Sequence, residues 1–246
     1  MVDLAKGYIS QAIFYSAHTL DNRVRYRQEE AEATFGPLFN VQSQQTNVPD
    51  DFDPGAPRLM FQSSHKQLLL SKNSAQFVLG FENAEKSIAN QVEIVIDNIK
   101  KVTKRLSSFS SCTGEVGFIL TFNFPSSASR SRLSGAVFEK FLKLPSSHEV
   151  ASASVKVGYE TADSLFLNFE ADVYELRRGG FQFNAFTEQA FDVSKLELQE
   201  TGYSFKVDIN NKPKIGTSMD YTGEANNLIE AMRGFMRDSF DEFVRF

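Results

Sequence analysis

Between Glu85 and Leu106 the apolar residues Ile88, Val92, Val95, Ile96, Ile99, Val102 and Leu106 recur every three or four positions. That spacing puts all of them on one face of a helix. Lys100, Lys101, Lys104 and Arg105 crowd its last turns, where cations suit the negative end of the helix dipole. A long helix with one apolar face needs an apolar surface to cover. The rest of the chain must therefore supply one. A second helix of this kind is predicted at about Glu224–Phe243, carried by Leu228, Ile229, Met232, Phe235, Met236, Phe240 and Phe243, with Val244 next.

The surface is supplied by stretches with period two. Phe118, Leu120, Phe122 and Phe124 alternate up to Pro125. Ala151, Ala153, Val155, Val157 and Tyr159 alternate, as do Leu165, Leu167, Phe169, Ala171 and Val173, with a short turn at Thr161-Ala162-Asp163. Tyr203, Phe205, Val207 and Ile209 repeat the rhythm. One face of such a strand is buried and the other wet, as in an antiparallel sheet. Leu59–Gln62, Lys66–Leu70 and Gln76–Phe81 read as short strands joined by Ser-, Asn- and His-rich turns.

The predicted order is a strand at Tyr8–Ala17, a helix at about Asn22–Phe35, several strands and the long helix. It then repeats as a strand at Val116–Phe124, a helix at about Arg132–Lys143, several strands and the C-terminal helix. The expected fold class is α+β: two pseudo-repeated β-α-β-β-β-α halves, 1–110 and 111–246, packed as one unit. Each half has a mainly antiparallel sheet covered by a long amphipathic helix. The join, SSFSSCTGE, has loop composition.

Residues 177–186, RRGGFQFNAF, combine basic and aromatic side chains. Gly179-Gly180 reads as a hairpin turn, with Phe181 and Phe183 on the returning strand and Arg177 and Arg178 at its mouth. Asn184–Glu200 has no period. NVPDDFDPGAPR, residues 47–58, reads as a long loop that is free to move and to carry a contact.

The 24 Phe and absence of Trp predict an aromatic interior rather than a surface of amphipathic rings. A net charge of −5 argues against general nucleic-acid binding, which needs cations to neutralise phosphates. The single Cys112 cannot close an internal disulfide, which predicts a reducing compartment. MVDLAKGYISQ lacks the basic and apolar regions of a signal peptide. No apolar run approaches the ~20 residues of a membrane helix. A cytoplasmic location follows as the expectation.

Little of the sequence resembles a catalytic set. His18, His65 and His148 have no second His or Cys at metal-ligand spacing and read as solvated turn residues. Cys112 with His148, or His18 with Asp21, are the pairs capable of nucleophilic or proton-transfer work, and neither has supporting local sequence. Asp50, Asp51 and Asp53 offer oxygen ligands, but Pro54 and the lack of a closing Glu break the calcium-loop pattern. Glu170, Asp172 and Glu175 share a strand, with Glu175 at the opposite parity. No phosphate-binding glycine loop is present. Arg130 and Arg132, near a helix start, and Arg177 and Arg178 are the candidate anion or partner contacts. No cofactor or metal is expected.

GYISQAIFYSAH, PRLMFQSSHKQLLLSKNSAQFVLGFE and LIEAMRGFMRDSFDEFV resemble segments of a loosely defined prokaryotic family of about this length without an assigned activity. The resemblance implies an accessory protein encoded beside a toxin or a defence enzyme, and transfers no catalytic residue. The element order is also similar to that of SecB-like export chaperones. The expected function is a non-catalytic protein- or peptide-binding protein, possessing a sheet edge, sheet face or groove for its partner and open to homo-oligomerisation. The alternatives are a binder of small apolar ligands with a Phe-lined cavity and a metal-dependent hydrolase.

Overall fold

The computed structural model describes residues 3–142, 148–161, 163–179, 196–212 and 220–245. It is α+β. The first strand and helix are β1 (Tyr8–His18) and α1 (Gln28–Phe39), followed by β2 (Gln44–Gln45), β3 (Pro57–Gln62), β4 (Lys66–Ser71), β5 (Ser74–Leu79) and α2 (Ile88–Phe109). Then come β6 (Cys112–Pro125), α3 (Arg130–Val137), β7 (Val155–Glu160), β8 (Phe166–Arg178), β9 (Glu197–Asn210), α4 (Tyr221–Asp238) and α5 (Phe240–Val244). The nine strands form one sheet in the order β2-β3-β4-β5-β1-β6-β9-β8-β7. Every pairing in it is antiparallel.

The register aligns the apolar parity of neighbouring strands. Phe14 stands opposite Phe77 and Phe118, Phe118 opposite Ile209, Leu120 opposite Val207, and Phe122 opposite Phe205. All of these are buried. Their face receives the helices: α2 lies against β1 and β5, α4 against β6 and β9, α1 against β3, and α3 against β8 and β9. The other face carries no helix among the described residues. It runs from Met60, Leu69, Val78 and Ile13 across Ile119 to Asp208, Asn168 and Glu170, and these residues are half-buried. A register shift between Ile9 and Gln11 keeps Ile9 on the helix side.

α2 begins at Ile88 rather than Glu85 because the Ser87 side chain accepts the Asn90 N–H and caps it. Its buried Gln91 joins helix to sheet. The side-chain oxygen accepts the Ile9 N–H at 2.7 Å, and the amide nitrogen donates to Asn83 O and Lys86 O. Gly202 is required by a close approach: a Cβ there would lie 2.1 Å from the Phe124 carbonyl oxygen.

Several boundaries differ from expectation. The helix expected at Asn22–Phe35 is a 3-10 turn at Val24–Arg27 followed by α1, ending at Asn40 in the left-handed conformation with φ 55°. Asp21 accepts the Arg23 N–H, making a side-chain turn that delays the helix. The C-terminal helix breaks at Ser239, whose φ of −133° leaves the helical region. Ala151–Ser154 is not strand, because pairing with β8 begins at Val155 opposite Ala171. The small Ala and Ser side chains before it offer little area to hold a strand in place. Cys112 begins β6 instead of lying in a connector.

The expected Gly179-Gly180 hairpin extends beyond the described residues, which stop at Gly179 and resume at Leu196. Arg178 pairs with Glu197, so the returning strand is β9. Phe181 and Phe183 lie outside the described residues.

Replacing Gln91 with Leu leaves the Ile9 N–H and two carbonyls without their partner. A loss of about 1–3 kcal/mol is expected from a buried donor left unsatisfied. Urea unfolding of the variant and the parent, followed by circular dichroism, measures it.

Candidate functional site

The two edges of the sheet are finished differently. At one edge, β2 pairs with β3 through Gln44 opposite Met60 and Gln45 opposite Leu59. The 47–58 loop folds beside it around Arg58, whose side chain is 0% exposed. The Arg58 guanidinium donates to the carbonyls of Ala56, Pro49, Phe52 and Asp53. The loop read from sequence as free to move is thus tied to a buried cation through its own backbone.

At the other edge, among the described residues, β7 pairs with β8 alone. An edge strand presents a row of unpaired N–H and C=O groups. Val155, Val157 and Tyr159 stand opposite Ala171, Phe169 and Leu167 and so share the helix-side face. Val157 is 40% exposed and Tyr159 53%, so this face is only partly covered.

Beside β7 runs a groove of about 520 Å³, walled by Val155, Val157, Tyr159, Phe169, Phe141 and Phe243. The rings form a connected floor. Phe169 lies 4.6 Å from Phe243 and 4.8 Å from Phe235 between centroids, and Phe141 lies 5.9 Å from Phe243. Near the other edge the comparable space is filled: Phe39 packs against Phe61 and Phe77, and Phe35 against Phe61 and Phe109, all buried.

The groove's polar end is Lys140. Its ammonium donates to the carbonyls of Glu242, Phe243 and Arg245, fixing α5. Burial pushes its pKa below the usual lysine range, while the Glu242 carboxylate opposes the shift.

A second cluster lies on the open face of the sheet. The hydroxyls of Tyr8 and Tyr174 both donate to Glu200 Oε1, at 2.9 and 2.6 Å. Burial raises the pKa of both tyrosines. For Tyr174 the hydrogen bond and charge of Glu200 add to it, and for Tyr8 a bond with Asn123 opposes it.

Of the residues singled out by sequence, Arg130 and Arg177 converge. Glu175 Oε2 lies 3.8 Å from Arg130 and 3.0 Å from Arg177, beside a depression of about 820 Å³ that Asp3, Lys6 and Glu200 also line. The guanidinium charges are thus already answered by a carboxylate, and further carboxylates border the depression. Arg132 and Arg178 are exposed. Glu170 is 3.8 Å from Lys206, and the Asp172 carboxylate accepts its neighbour's N–H. With Glu175 held by arginine, the three carboxylates do not meet. Asp50 lies 3.3 Å from Arg25, and Asp53 accepts the Gly55 N–H. Among the described residues no group of three His, Cys, Asp or Glu is placed to hold a metal.

His18 is buried at the end of β1, with Nδ1 2.9 Å from Thr19 O, rather than solvated. Asp21 is engaged by Arg27 at 2.7 Å; burial pushes its pKa up, but the bonds from Arg27 and Arg23 N–H outweigh this and hold it low. His65 and His148 are exposed. No helix of the described residues is long and apolar enough to cross a membrane. Comparison with family models, with curated proteins and with solved structures finds no match for this chain.

The groove residues were visible in sequence only as members of separate apolar patterns. Its signal was the parity of Val155, Val157 and Tyr159; what no local pattern carries is that β7 lies at the edge.

A raised tyrosine pKa contributes stability that is complete below the unfolded value of about 10 and is lost as pH rises through the folded value. Absorbance titration at 295 nm is expected to show Tyr8 and Tyr174 ionising above the ordinary tyrosine range. Folding stability is expected to fall above pH ~10, and Tyr174→Phe to flatten that fall.

Proposed function

We propose that this chain is a non-catalytic accessory protein that holds an extended segment of a partner protein along β7. The observation that carries this reading is the β7 edge, unpaired among the described residues, directly beside the aromatic groove. A strand added to that edge bonds through its main chain, and its alternate side chains fall on the groove side. The recognised chemistry is therefore an extended peptide with aliphatic or aromatic residues at every second position. Backbone bonds supply affinity and the Phe-lined wall supplies selectivity.

The duplicated architecture expected from sequence fits this reading. Outward from the β1–β6 pair the order is β5, β4, β3 and then the two-residue β2 on one side, and β9, β8, β7 on the other. Matching β1 with β6 makes β3 the counterpart of β7. Two β-α-β-β-β-α halves, 1–110 and 111–246, then join edge to edge, each with its long helix, α2 or α4, over its own strands. The first half fills its outer space with Phe35 and Phe39, and the second leaves that space for a partner. A cytoplasmic accessory role beside a toxin or defence enzyme, implied by the sequence resemblance, accords with a module that holds a peptide.

The second reading, a small apolar ligand, is favoured by the same ring-lined groove of about 520 Å³, a volume within the range of small-molecule pockets. Native mass spectrometry of the purified protein separates the two, since a retained apolar ligand supports only the second.

Selection of random peptides displayed on phage tests the proposal. Sequences alternating apolar and polar residues are expected to be enriched. Val157→Asp and Tyr159→Ser, both at exposed positions, are expected to weaken the enriched peptides about tenfold or more in fluorescence polarisation. Enrichment of no peptide, or equal affinity for the parent and Val157→Asp, removes the edge-and-groove site.

A further inference from the structure

A basic pocket opens between α1 and the last turns of α2, near the filled edge of the sheet and independent of the groove. It is lined by Thr34 from α1 and by Lys101, Lys104, Arg105 and Ser108 from α2, with a volume of about 590 Å³. In a chain of net charge −5, three cations here share one depression.

Their counter-charge is incomplete. Lys101 Nζ is 2.6 Å from the Asp97 carboxylate. Arg105 donates to a carbonyl instead, Thr34 O at 2.8 Å. Among the described residues Lys104 has no carboxylate partner. Nearby Lys66 donates to Leu38 O and stands over the Phe39 ring. Burial first, and then the Lys101 charge, push the Lys66 ammonium below its usual range. The cations are thus close enough for one to disfavour another. The acidic group on the α1 side, Glu30, is bound by Arg27 through both carboxylate oxygens.

Helix-dipole compensation does not account for the cluster by itself. The C-terminal carbonyl of α2, Phe109 O, already accepts Arg27 Nη2 at 2.7 Å, and the same guanidinium lies 4.0 Å from the Phe109 ring. Arg27 serves that helix end, while Lys101, Lys104 and Arg105 face the pocket one to two turns earlier. The bond to Thr34 O holds the Arg105 guanidinium in a fixed orientation between the helices. That arrangement suits a compact polyanion: a planar guanidinium for paired oxygens and two ammonium groups as mobile point charges.

We infer that this pocket binds a small, soluble phosphate-bearing ligand, with Arg105 as the oriented contact and Lys101 and Lys104 closing over the anion. The Thr34 and Ser108 hydroxyls also line the pocket, donating to the helix carbonyls Glu30 O and Arg105 O at 2.8 Å, which leaves the cations as its anion-binding groups.

Isothermal titration of the full chain with inorganic pyrophosphate tests the site. Saturable binding is expected, weakening as sodium chloride is raised because exposed charges are screened. Lys104→Ala and Arg105→Ala are each expected to weaken it about tenfold, the scale of one lost charge-assisted contact. Lys100→Ala, on the same helix but outside the pocket lining, is expected to bind as the parent does. Thermal melts accompany each variant. If Arg105→Ala unfolds, Lys104→Ala decides alone, since its side chain holds no element in place. Absence of pyrophosphate binding overturns the inference, as does equal weakening by all three variants. A parallel arm uses phosphatidylcholine vesicles containing phosphatidic acid. Sedimentation with these vesicles, without binding of free pyrophosphate, overturns it in favour of a membrane headgroup.

Discussion

The structure depends on the antiparallel pairing of β1 with β6 at the middle of the sheet. In that register Phe14 meets Phe118 and Ala12 meets Leu120, so the apolar faces of the two strands coincide. A slip of one residue would turn every side chain of one strand to the opposite face. The strands on either side inherit the choice: Phe77 follows Phe14, and Ile209, Val207 and Phe205 follow β6. The result is one apolar surface spanning both ends of the chain, large enough for α2 and α4 to lie on it side by side. The Arg233–Glu93 pair, 2.7 Å apart, ties those helices at the exposed rim of their contact; burial beneath it, rather than the ion pair, supplies the cohesion.

The ends of the sheet show how differently an edge can be treated. One is finished by a two-residue strand and a loop whose carbonyls converge on buried Arg58. Using carbonyls lets the guanidinium be buried with donors satisfied, although its Nε keeps no hydrogen bond. The nearest carboxylate oxygen, on Asp50, is 3.9 Å from that atom. The other edge, β7, is bordered by rings that pack among themselves and leave a wall open. An exposed apolar edge is costly to keep in solution, since it invites pairing with other chains. Its retention beside an aromatic groove is what makes a binding role the economical reading of this end of the molecule.

Much of the fold was legible in sequence. The seven apolar positions of α2 that recur every three or four residues lie on its sheet side, and alternation identified β6, β8 and β9. Boundaries shifted where a side chain intervened, Asp21 delaying α1 and Ser87 capping α2, and where the Ser239 backbone leaves the helical region. The pairing of β8 was decided by a different kind of information. Glycines mark where a chain is able to turn, while the partner of Arg178 is fixed by the match of β8 with Glu197–Asn210 along its whole length. Of the arginines marked as contacts, Arg130 and Arg177 were brought together on Glu175, a carboxylate that the sequence reading had assigned to another cluster.

The sequence by itself determined which segments coil, which extend and which face of each is apolar, because those properties repeat over a few residues and are carried by local geometry. Only the tertiary structure decided that β7 lies at an edge, that Phe141, Phe169 and Phe243 border one groove, that Tyr8 and Tyr174 share Glu200, and that Thr34 meets Arg105. Each of these joins residues distant along the chain, and strand order and helix placement follow from burying one common surface rather than from any local pattern.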